Sequence, residues 1–579
     1  MKNGREEEFE EFAYMQALEN AVNYNGQANP KALVGKCVPK FPFMKDDMSH
    51  YMNLLSNICN QVNSLSLTLQ IEKLKEINPD FFQKKETKKE EKNSKLLALE
   101  GMENGKVVTR FSPAPSGNLH LGHLYGIVYN YEYAKEFGGK FILRIEDTNP
   151  ENIDISNYNS IIDDIKWLTD DNISEIYYQS DRMDIYYKYL RTLIELSKAY
   201  VCECESDVFK AYNDSSEPCP HRDMPKEKQI EMYENFFNDK YKEGEAIIRF
   251  KGDLSNKNPA LRDFPLARIK IESHARLKNK YTLWPMYNLC SAVDDYLMGI
   301  SHIIRGKDHE INGFRQDMIK EALGFTKCFY FHYGRIKFID IELSKTKLSE
   351  LIENKTYSGW DDPRVPSLIS YRKRGYKAEA FRNMIITGGM SKRDSKITDE
   401  EYHKNLNYFN KQILEKEADR YFFVYNPKTI HIENIQSYPE KEIILPKHPD
   451  YKDRGNRHFK LENEYMVDGV DFDNISIGDM IRLMHFANFL VEKKENDKIF
   501  LKYISKDFDR SLKVKRNIHF LPLNSQRAIM VMQDNSHLKG YVEDLDNIKK
   551  NSNVQFERFG FSKYDGKKDE ELIFYFTHR

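Results

Sequence analysis

Apolar positions follow three different rhythms along the chain. Up to about residue 80 they recur at helical spacing, with Phe12, Met15, Leu18 and Val22 in one set and Leu67, Ile71 and Leu74 in another. A turn-rich stretch at 23–30 separates them. Residues 83–92 then mix charges without any large apolar side chain, which reads as a solvated linker or an exposed helix end and places a boundary near residue 100. The second rhythm begins with a β-favouring run at 106–111. Residues 112–117, Ser-Pro-Ala-Pro-Ser-Gly, form a loop that no helix can cross. A helix follows from Leu119, with Leu121, Leu124, Tyr125 and Val128 on one face, and Gly138-Gly139 ends it. Residues 140–145 make a second strand, completing a βαβ unit of a parallel sheet. Residues 301–305 read as another buried strand, running into Gly306-Lys307-Asp308-His309 and a helix. The stretch between is therefore an insertion separating two halves of the sheet. Beyond about residue 421 the apolar runs are short, β-rich and punctuated by turns (421–425, 429–432, 441–445, 528–532, 572–577), which favours a barrel or sandwich.

Charge narrows the picture. Of 579 residues, 88 are Lys or Arg and 90 Asp or Glu, a net charge of -2. Residues 1–100 hold 14 basic and 15 acidic side chains, and residues 421–579 hold 26 and 25. Binding to a polyanion by bulk charge is excluded, but segregation of cations onto one face is not. No run approaches the ~18 apolar residues of a membrane span, and the acidic N-terminus is no secretory signal. Seven cysteines, an odd number in a large chain, are no disulfide framework. A cytoplasmic protein of several domains is the expectation.

The densest chemical signal is His120-Leu121-Gly122-His123, where the proline-rich loop enters a helix. Free N–H groups and the positive dipole end at a helix N-terminus attract phosphate. Two imidazoles at i and i+3 lie on one side of that end and can donate to phosphate oxygens, and Gly122 leaves room for a flat base. A second cluster sits in the insertion: Cys202-Glu203-Cys204 and Cys219-Pro220-His221. Paired thiolates and an imidazole at such spacing suit a structural, tetrahedral zinc, the alternative being four unconnected side chains. Cys37, Cys59, Cys290 and Cys328 are scattered and read as small buried hydrophobes.

The loop and helix from Arg110 to His123, followed by Phe-Ile-Leu-Arg-Ile-Glu-Asp-Thr at 141–148, resemble class I aminoacyl-tRNA synthetases and specifically the glutamyl-tRNA synthetases. The resemblance extends over 281–309, over Trp360-Asp361-Asp362-Pro363-Arg364 and into the β-rich tail, in the manner of the archaeal and eukaryotic branch. It implies a multidomain α/β plus β architecture. A Rossmann-type catalytic domain would comprise 101–200 and 285–335, interrupted by an acceptor-stem domain at 201–284. A helical junction with a lysine loop would span 336–420, anticodon-binding β-barrels 421–579, and a helical extension 1–100. The implied reaction joins glutamate to the α-phosphate of ATP and then passes the acyl group to the 3′ end of tRNA(Glu), with magnesium accompanying ATP.

The same resemblance implies roles. His120 and His123 act in catalysis with Lys345 and Lys347. These lysines belong to Glu342-Leu343-Ser344-Lys345-Thr346-Lys347, which matches the family's Lys-Met-Ser-Lys-Ser loop at Ser344 and Lys345 and departs from it at Glu342. Gly122, Ser344 and Asp308 face ATP. Arg110 and Arg305 take carboxylates, Glu146 the ammonium, and Ser112, Tyr287 and Ser291 complete the substrate pocket. Ser112, Ala114 and Ser291 depart from the family's usual residues. Zinc in the insertion, on Cys202, Cys204, Cys219 and His221, also occurs in some members. For tRNA, Arg372 and Arg374 in one basic run and Arg454 and Arg457 in another are contact candidates, a solvated charged loop being the plain alternative. A monomer without membrane contact is expected. Charging of tRNA(Gln) as well stays open, as do two other readings. A glutaminyl-tRNA synthetase is disfavoured by Glu146, where that family typically has Asp. An inactive tRNA-binding assembly protein is disfavoured by intact His120, Gly122, His123 and Lys345.

Overall fold

The computed structural model describes residues 4–23, 26–78, 96–151, 153–495, 497–545 and 548–579, so the mixed-charge run at 83–92 lies outside them. The chain forms two compact units, Met1–Leu97 and Ala98–Arg579.

The first unit contains helices α1 (Gly4–Asn23), α2 (Pro30–Lys40), α3 (Met48–Asn63) and α4 (Leu67–Ile77). Its interior seam on α1 is Phe9, Ala13, Ala17 and Ala21, all fully buried at a spacing of four. Phe12 and Val22, expected to lead that face, only flank it. Alanines let neighbouring helices approach closely, so the seam is made of residues too small to stand out as apolar peaks. The buried Gln70 of α4 lies under the carbonyls of Gly26, Val62 and Leu65, with Nε2 at 3.0, 2.8 and 3.2 Å.

The second unit opens with β1 (Val108–Phe111), α5 (Leu121–Glu136), β2 (Lys140–Ile145), α6 (Ile155–Leu168) and β3 (Glu175–Tyr178). The strands are parallel in the order β1-β2-β3. Helix α5 is buried on nearly every face because the sheet covers one side and a later helix (378–388) the other. Its stop is steric as well as conformational. Gly138 has φ +56°, and a Cβ at Gly139 would lie 1.9 Å from Val107 O.

Helix α7 (Met183–Glu195) leads into an antiparallel sheet of β4 (Ala199–Cys202), β5 (Ile247–Phe250), β6 (Phe264–Ile269) and β7 (Leu283–Pro285), with α8 (Ser206–Ser215) and α9 (Lys226–Asn235) between β4 and β5. Its core runs from Met183 and Tyr186 through Trp284 to Leu289 and Val293, so it is continuous with both flanking helices. The chain then returns through α10 (Tyr287–Leu297), β8 (His302–Gly306), α11 (Glu310–Leu323) and β9 (Phe329–Tyr333). Strands β8 and β9 are parallel. β8 and β9 form a separate two-stranded sheet, which lies beside β1, where Ser301 N–H donates to Val108 O at 3.0 Å and Ser301 Oγ accepts from Val108 N–H at 2.8 Å. The two halves thus meet at β1 and the start of β8, each a parallel sheet, and parallel sheets bind ligands at the C-terminal ends of their strands.

Residues 336–417 are less purely helical than the resemblance implies. Strands β10 (Ile336–Ile339) and β11 (Ser395–Thr398) pair in parallel around α12 (Lys345–Glu353), α13 (Leu368–Lys373) and α14 (Ala378–Gly388), and α15 (Asp399–Glu417) follows. Where α6 meets α13, the fully buried Asp164 accepts no hydrogen bond among the described residues, and Arg372 Nη2 stands 3.5 Å away. Burial pushes its carboxyl up to about 7, Arg372 only partly opposing. The folded state therefore holds a proton that the unfolded chain has lost, so this group's stabilising contribution declines as pH rises from 3.8 to about 7. Asp164→Asn, which mimics the protonated form, is expected to raise stability at pH 8 by about 1–3 kcal/mol. The gain should vanish near pH 4 in thermal melts across that range.

The remainder forms two seven-stranded sheets and a two-stranded hairpin of 442–446 with 456–460. One contains 419–421, 423–425 and the strands from 526 to 578; the other, formed by strands between 428 and 522, is inserted within it. Arg457, on the hairpin, ties it to the first of these sheets. Its guanidinium is 3 % exposed and donates to Glu543 and Glu557, each at 3.0 Å.

Candidate active site

Helix α10 presents Ser291, Asp294 and Asp295 at helical spacing toward the edge of the sheet, and all three are fully buried. Asp295 receives Arg110 of β1 in two parallel bonds, Nε at 3.1 Å and Nη2 at 3.2 Å. Arg144 of β2 donates to the same carboxylate at 2.7 Å, to Glu146 Oε1 at 3.1 Å and to Ser291 Oγ at 3.2 Å. Burial alone would raise the Asp295 carboxyl, yet the Arg110 and Arg144 guanidiniums hold it well below the usual range. Glu146 goes the other way, burial outweighing the two arginines. It lies beyond the end of β2, where Pro113 O accepts its backbone N–H at 2.9 Å.

Arg305 of β8 differs from these arginines in its partners. It donates to Tyr287 OH at 3.0 Å, Gln316 Oε1 at 3.1 Å and His332 Nε2 at 3.3 Å. The residue is 7 % exposed, and among the described residues no carboxylate pairs with it. Burial first, and the Arg305 charge second, push His332 down to about 4, and the same two causes lower His309. Both imidazoles are therefore neutral at pH 7, and Arg305 stands as a buried positive charge among neutral groups.

At the start of α5, His120 Nδ1 accepts the Gly122 N–H at 3.1 Å, and His123 Nδ1 accepts the His120 N–H at 3.2 Å. The two rings lie 4.0 Å apart. Burial, then the neighbouring His120, push His123 down to about 3, and burial lowers His120. With Nδ1 accepting and the ring neutral, the proton sits on Nε2 of each imidazole. The pair thus offers two neutral N–H donors beside the open N-terminus of a helix. Ser112 Oγ, in the loop before it, is buried and has no hydrogen-bond partner among the described residues.

The lysine loop lies against this loop. Lys345 packs its stem on Gly117, where a Cβ would come within 2.8 Å of Lys345 Cδ, and it lines a cavity of ≈ 660 Å³ with Asn118 and Asp154. Leu343 stands over Gly122. Ser344 donates its N–H to Glu342 at 2.8 Å. Lys347, expected as a second free cation, is paired with Glu342 at 2.9 Å. Asp308, expected to face ATP, is exposed and paired with Arg335.

The four insertion residues converge. Cys202, Cys204, Cys219 and His221 place one donor atom each within 4.8 Å of all the others. A tetrahedral zinc with Zn–S bonds of about 2.3 Å sets its sulfurs ~3.8 Å apart, and Cys202 Sγ and Cys219 Sγ are 3.9 Å apart. Cys204 Sγ to His221 Nδ1 is 3.4 Å. Gln229 braces both segments, accepting from Val201 N–H at 2.6 Å and donating to His221 O at 2.7 Å.

The basic runs behave differently from expectation. Arg374 is buried and donates to Thr577 O at 3.3 Å, and Arg457 is the buried tie described above. Arg454 donates to the carbonyls of Lys416 and Glu417 at the end of α15 and to Asp419. Arg372 donates to Asp163 O at 3.3 Å and faces Asp164. Arg374 and Arg457 present no guanidinium to solvent, because the bands of basic residues are consumed by packing between domains. Sequence reasoning passed over Arg144, Asp295, Gln316 and His332. Two signals were present: an arginine within the otherwise apolar 141–145 run, and adjacent aspartates at the end of an apolar helix. Buried charges require partners, and these two features are each other's.

A family model described as "tRNA synthetases class I (E and Q), catalytic domain" matches residues 106–416, and the corresponding anti-codon binding domain matches 418–505. The chain belongs to the class I tRNA synthetases of the glutamate and glutamine group. Within that group it is similar over its whole length to the curated glutamate–tRNA ligases. It is 39% identical to that of Pyrococcus furiosus over 99% of this chain and 100% of the relative, and 37% identical to that of Methanosphaera stadtmanae over the same shares. A crystal structure of a glutamate tRNA ligase from Elizabethkingia meningosepticum is 22% identical, with a TM-score of 0.38 over 54% of this chain and 70% of that one.

Proposed function

We propose that the chain activates L-glutamate with ATP to glutamyl-adenylate and transfers the acyl group to tRNA(Glu), with the site residues acting as follows. The observation that carries this reading is Arg305, a buried guanidinium whose three partners are all neutral. A glutamate side-chain carboxylate supplies the missing counter-charge and gains a charge-assisted bond. Arg110 is already committed to Asp295, so it orients the pocket and contributes at most one edge. Glu146 faces the ammonium, and Ser112 offers its unpartnered hydroxyl to the bound substrate.

His120 and His123 donate their Nε2–H groups to phosphate oxygens, where negative charge develops as the carboxylate attacks and pyrophosphate leaves. Lys345 supplies a mobile positive charge to the leaving group. Lys347 joins it when Glu342 releases it. ATP brings magnesium, which neutralises the phosphates. Positioning and electrostatics suffice, since phosphoryl chemistry of this kind needs no protein nucleophile. Arg372 is the remaining candidate of its basic run for a tRNA contact. No described helix is long and apolar enough to cross a membrane. A cytoplasmic monomer is part of the proposal.

The insertion cluster holds zinc as a structural ion. Its donor set and its edge lengths fit that ion, and the neighbouring thiols at 3.9 Å are far from a bonded disulfide at about 2.05 Å. Metal analysis should find about one zinc per chain, with Cys219→Ser losing it. A zinc content near zero in gently purified protein contradicts the assignment.

Aminoacylation tests the whole reading. The chain should charge tRNA(Glu) with glutamate in the presence of ATP and magnesium. Failure to form either glutamyl-adenylate or glutamyl-tRNA, with tRNA present, overturns it.

A further inference from the structure

Helix α11 meets the pocket with one turn that carries no side chain and the next that carries an amide. A Cβ at Gly313 would lie 3.3 Å from Arg305 Nη2, so the arginine fills the space that a side chain there would need. Three residues on, Gln316 is fully buried and places Oε1 3.1 Å from the same nitrogen. A guanidinium only donates, so the amide oxygen faces Arg305 and the amide nitrogen faces away. That nitrogen donates to Asn288 Oδ1 at 3.4 Å, and Asn288, in the first turn of α10, is buried as well. Two buried amides in series thus stand behind the cation.

Neutrality at position 316 is costly for the empty fold. A glutamate there would have the same size and accept the same bond while pairing a buried charge, which is expensive to leave unpaired. The two other arginines of the site follow that rule: both reach Asp295, and Arg144 also reaches Glu146. Helix α11 even carries a carboxylate at the next position. Asp317, however, is turned onto Tyr330 OH at 2.8 Å, and Arg305 meets only the ring of that tyrosine, 5.6 Å from its centroid. Among the described residues Arg305 uses three of its five N–H groups, on Tyr287, Gln316 and His332. One N–H on each terminal nitrogen is left over, the pair that grips a carboxylate.

We propose that Gln316 sets the choice of amino acid: by presenting an amide and not a carboxylate, it keeps Arg305 charged for the side chain of glutamate. Gln316 is a positioning residue, acting through Arg305 and not on the reacting atoms. This rests on the glutamate-activating function above and adds to it the residue that decides which side chain is taken. A carboxylate at 316 would satisfy the arginine in advance, and an incoming glutamate would meet a neutral pair.

The test is Gln316→Glu, which changes charge and not size, and Asn288 can turn its amide to donate to the new carboxylate. In ATP–pyrophosphate exchange by the full chain, with tRNA present, kcat/KM for glutamate should fall by ~10²-fold, the scale of one buried charge pair. The fall should lie chiefly in KM, with KM for ATP unmoved and glutamine use far less affected, so the glutamate-to-glutamine ratio falls with it. The same variant without ligand should melt at a higher temperature than wild type, because its buried cation is now paired. Gln316→Met, of like length and uncharged, should weaken both amino acids together and leave their ratio near that of the wild type. An unchanged ratio in Gln316→Glu, an equal fall of the ratio in Gln316→Met, or a lower melting temperature for Gln316→Glu overturns the assignment. A wild-type chain that activates no glutamate contradicts the function itself; a wild type that prefers glutamate beside an indifferent Gln316→Glu contradicts only this inference.

Discussion

Arg305→Ala is expected to raise KM for glutamate by ~10²-fold or more, because truncating one member of a buried charge pair costs about 2–5 kcal/mol. In the proposed reading the pair is completed by the substrate. Arg305 is held in place by Tyr287, Gln316 and His332, none of which carries a charge to neutralise it. Arg110 cannot take over, since its Nε and Nη2 are already committed to Asp295. Arg305→Lys should recover little, because an ammonium cannot serve Tyr287, Gln316 and a carboxylate from one planar fork. The measurement is ATP–pyrophosphate exchange against glutamate concentration, with tRNA present. The ATP dependence should stay near wild type, since the proposed phosphate donors are His120 and His123, not Arg305.

His123→Ala should act on the other axis. It is expected to lower the rate of adenylate formation by ~10²-fold, the usual scale for one donor aimed at developing charge, while KM for glutamate changes little. The argument is the tautomer. His123 Nδ1 is occupied by the His120 N–H, so its proton is on Nε2, and with the ring pushed down to about 3 the donor stays neutral through the physiological range. The rate profile between pH 6 and 9 should therefore carry no inflection from this imidazole. Single-turnover adenylate formation followed across that range measures both points.

How much of this was legible beforehand depended on distance along the chain. The strands at 140–145 and 302–306 and the helix after the proline-rich loop announce themselves by local periodicity and by Gly138-Gly139. His120 and His123 are adjacent to that signal, so they were found with it. The convergence of Cys202, Cys204, Cys219 and His221 was legible too, because their paired spacing sets it. The Asp295 network was not: Arg110 and Asp295 are 185 positions apart, and nothing local says that they meet. Alanines at 13, 17 and 21 were passed over because small residues make weak apolar peaks although they form the tightest seam. Arg374 and Arg457 show the converse error. A basic run looks like a nucleic-acid surface whether its side chains face solvent or seal an interface between domains, and only burial separates the two. Net charge gave no surface, because a sum carries no directions.

The central claim is that an unneutralised Arg305 makes the pocket a receptor for a carboxylate. Its most direct test is the ratio of kcat/KM for glutamate over glutamine in ATP–pyrophosphate exchange, with tRNA present and with Arg305→Ala measured alongside. The account predicts that glutamate is preferred by ~10²-fold or more in the wild type, since a buried cation left facing a neutral amide forfeits about 3 kcal/mol, and that the preference largely collapses in the variant. Equal use of both amino acids by the wild type, or a preference that survives the loss of Arg305, would contradict it.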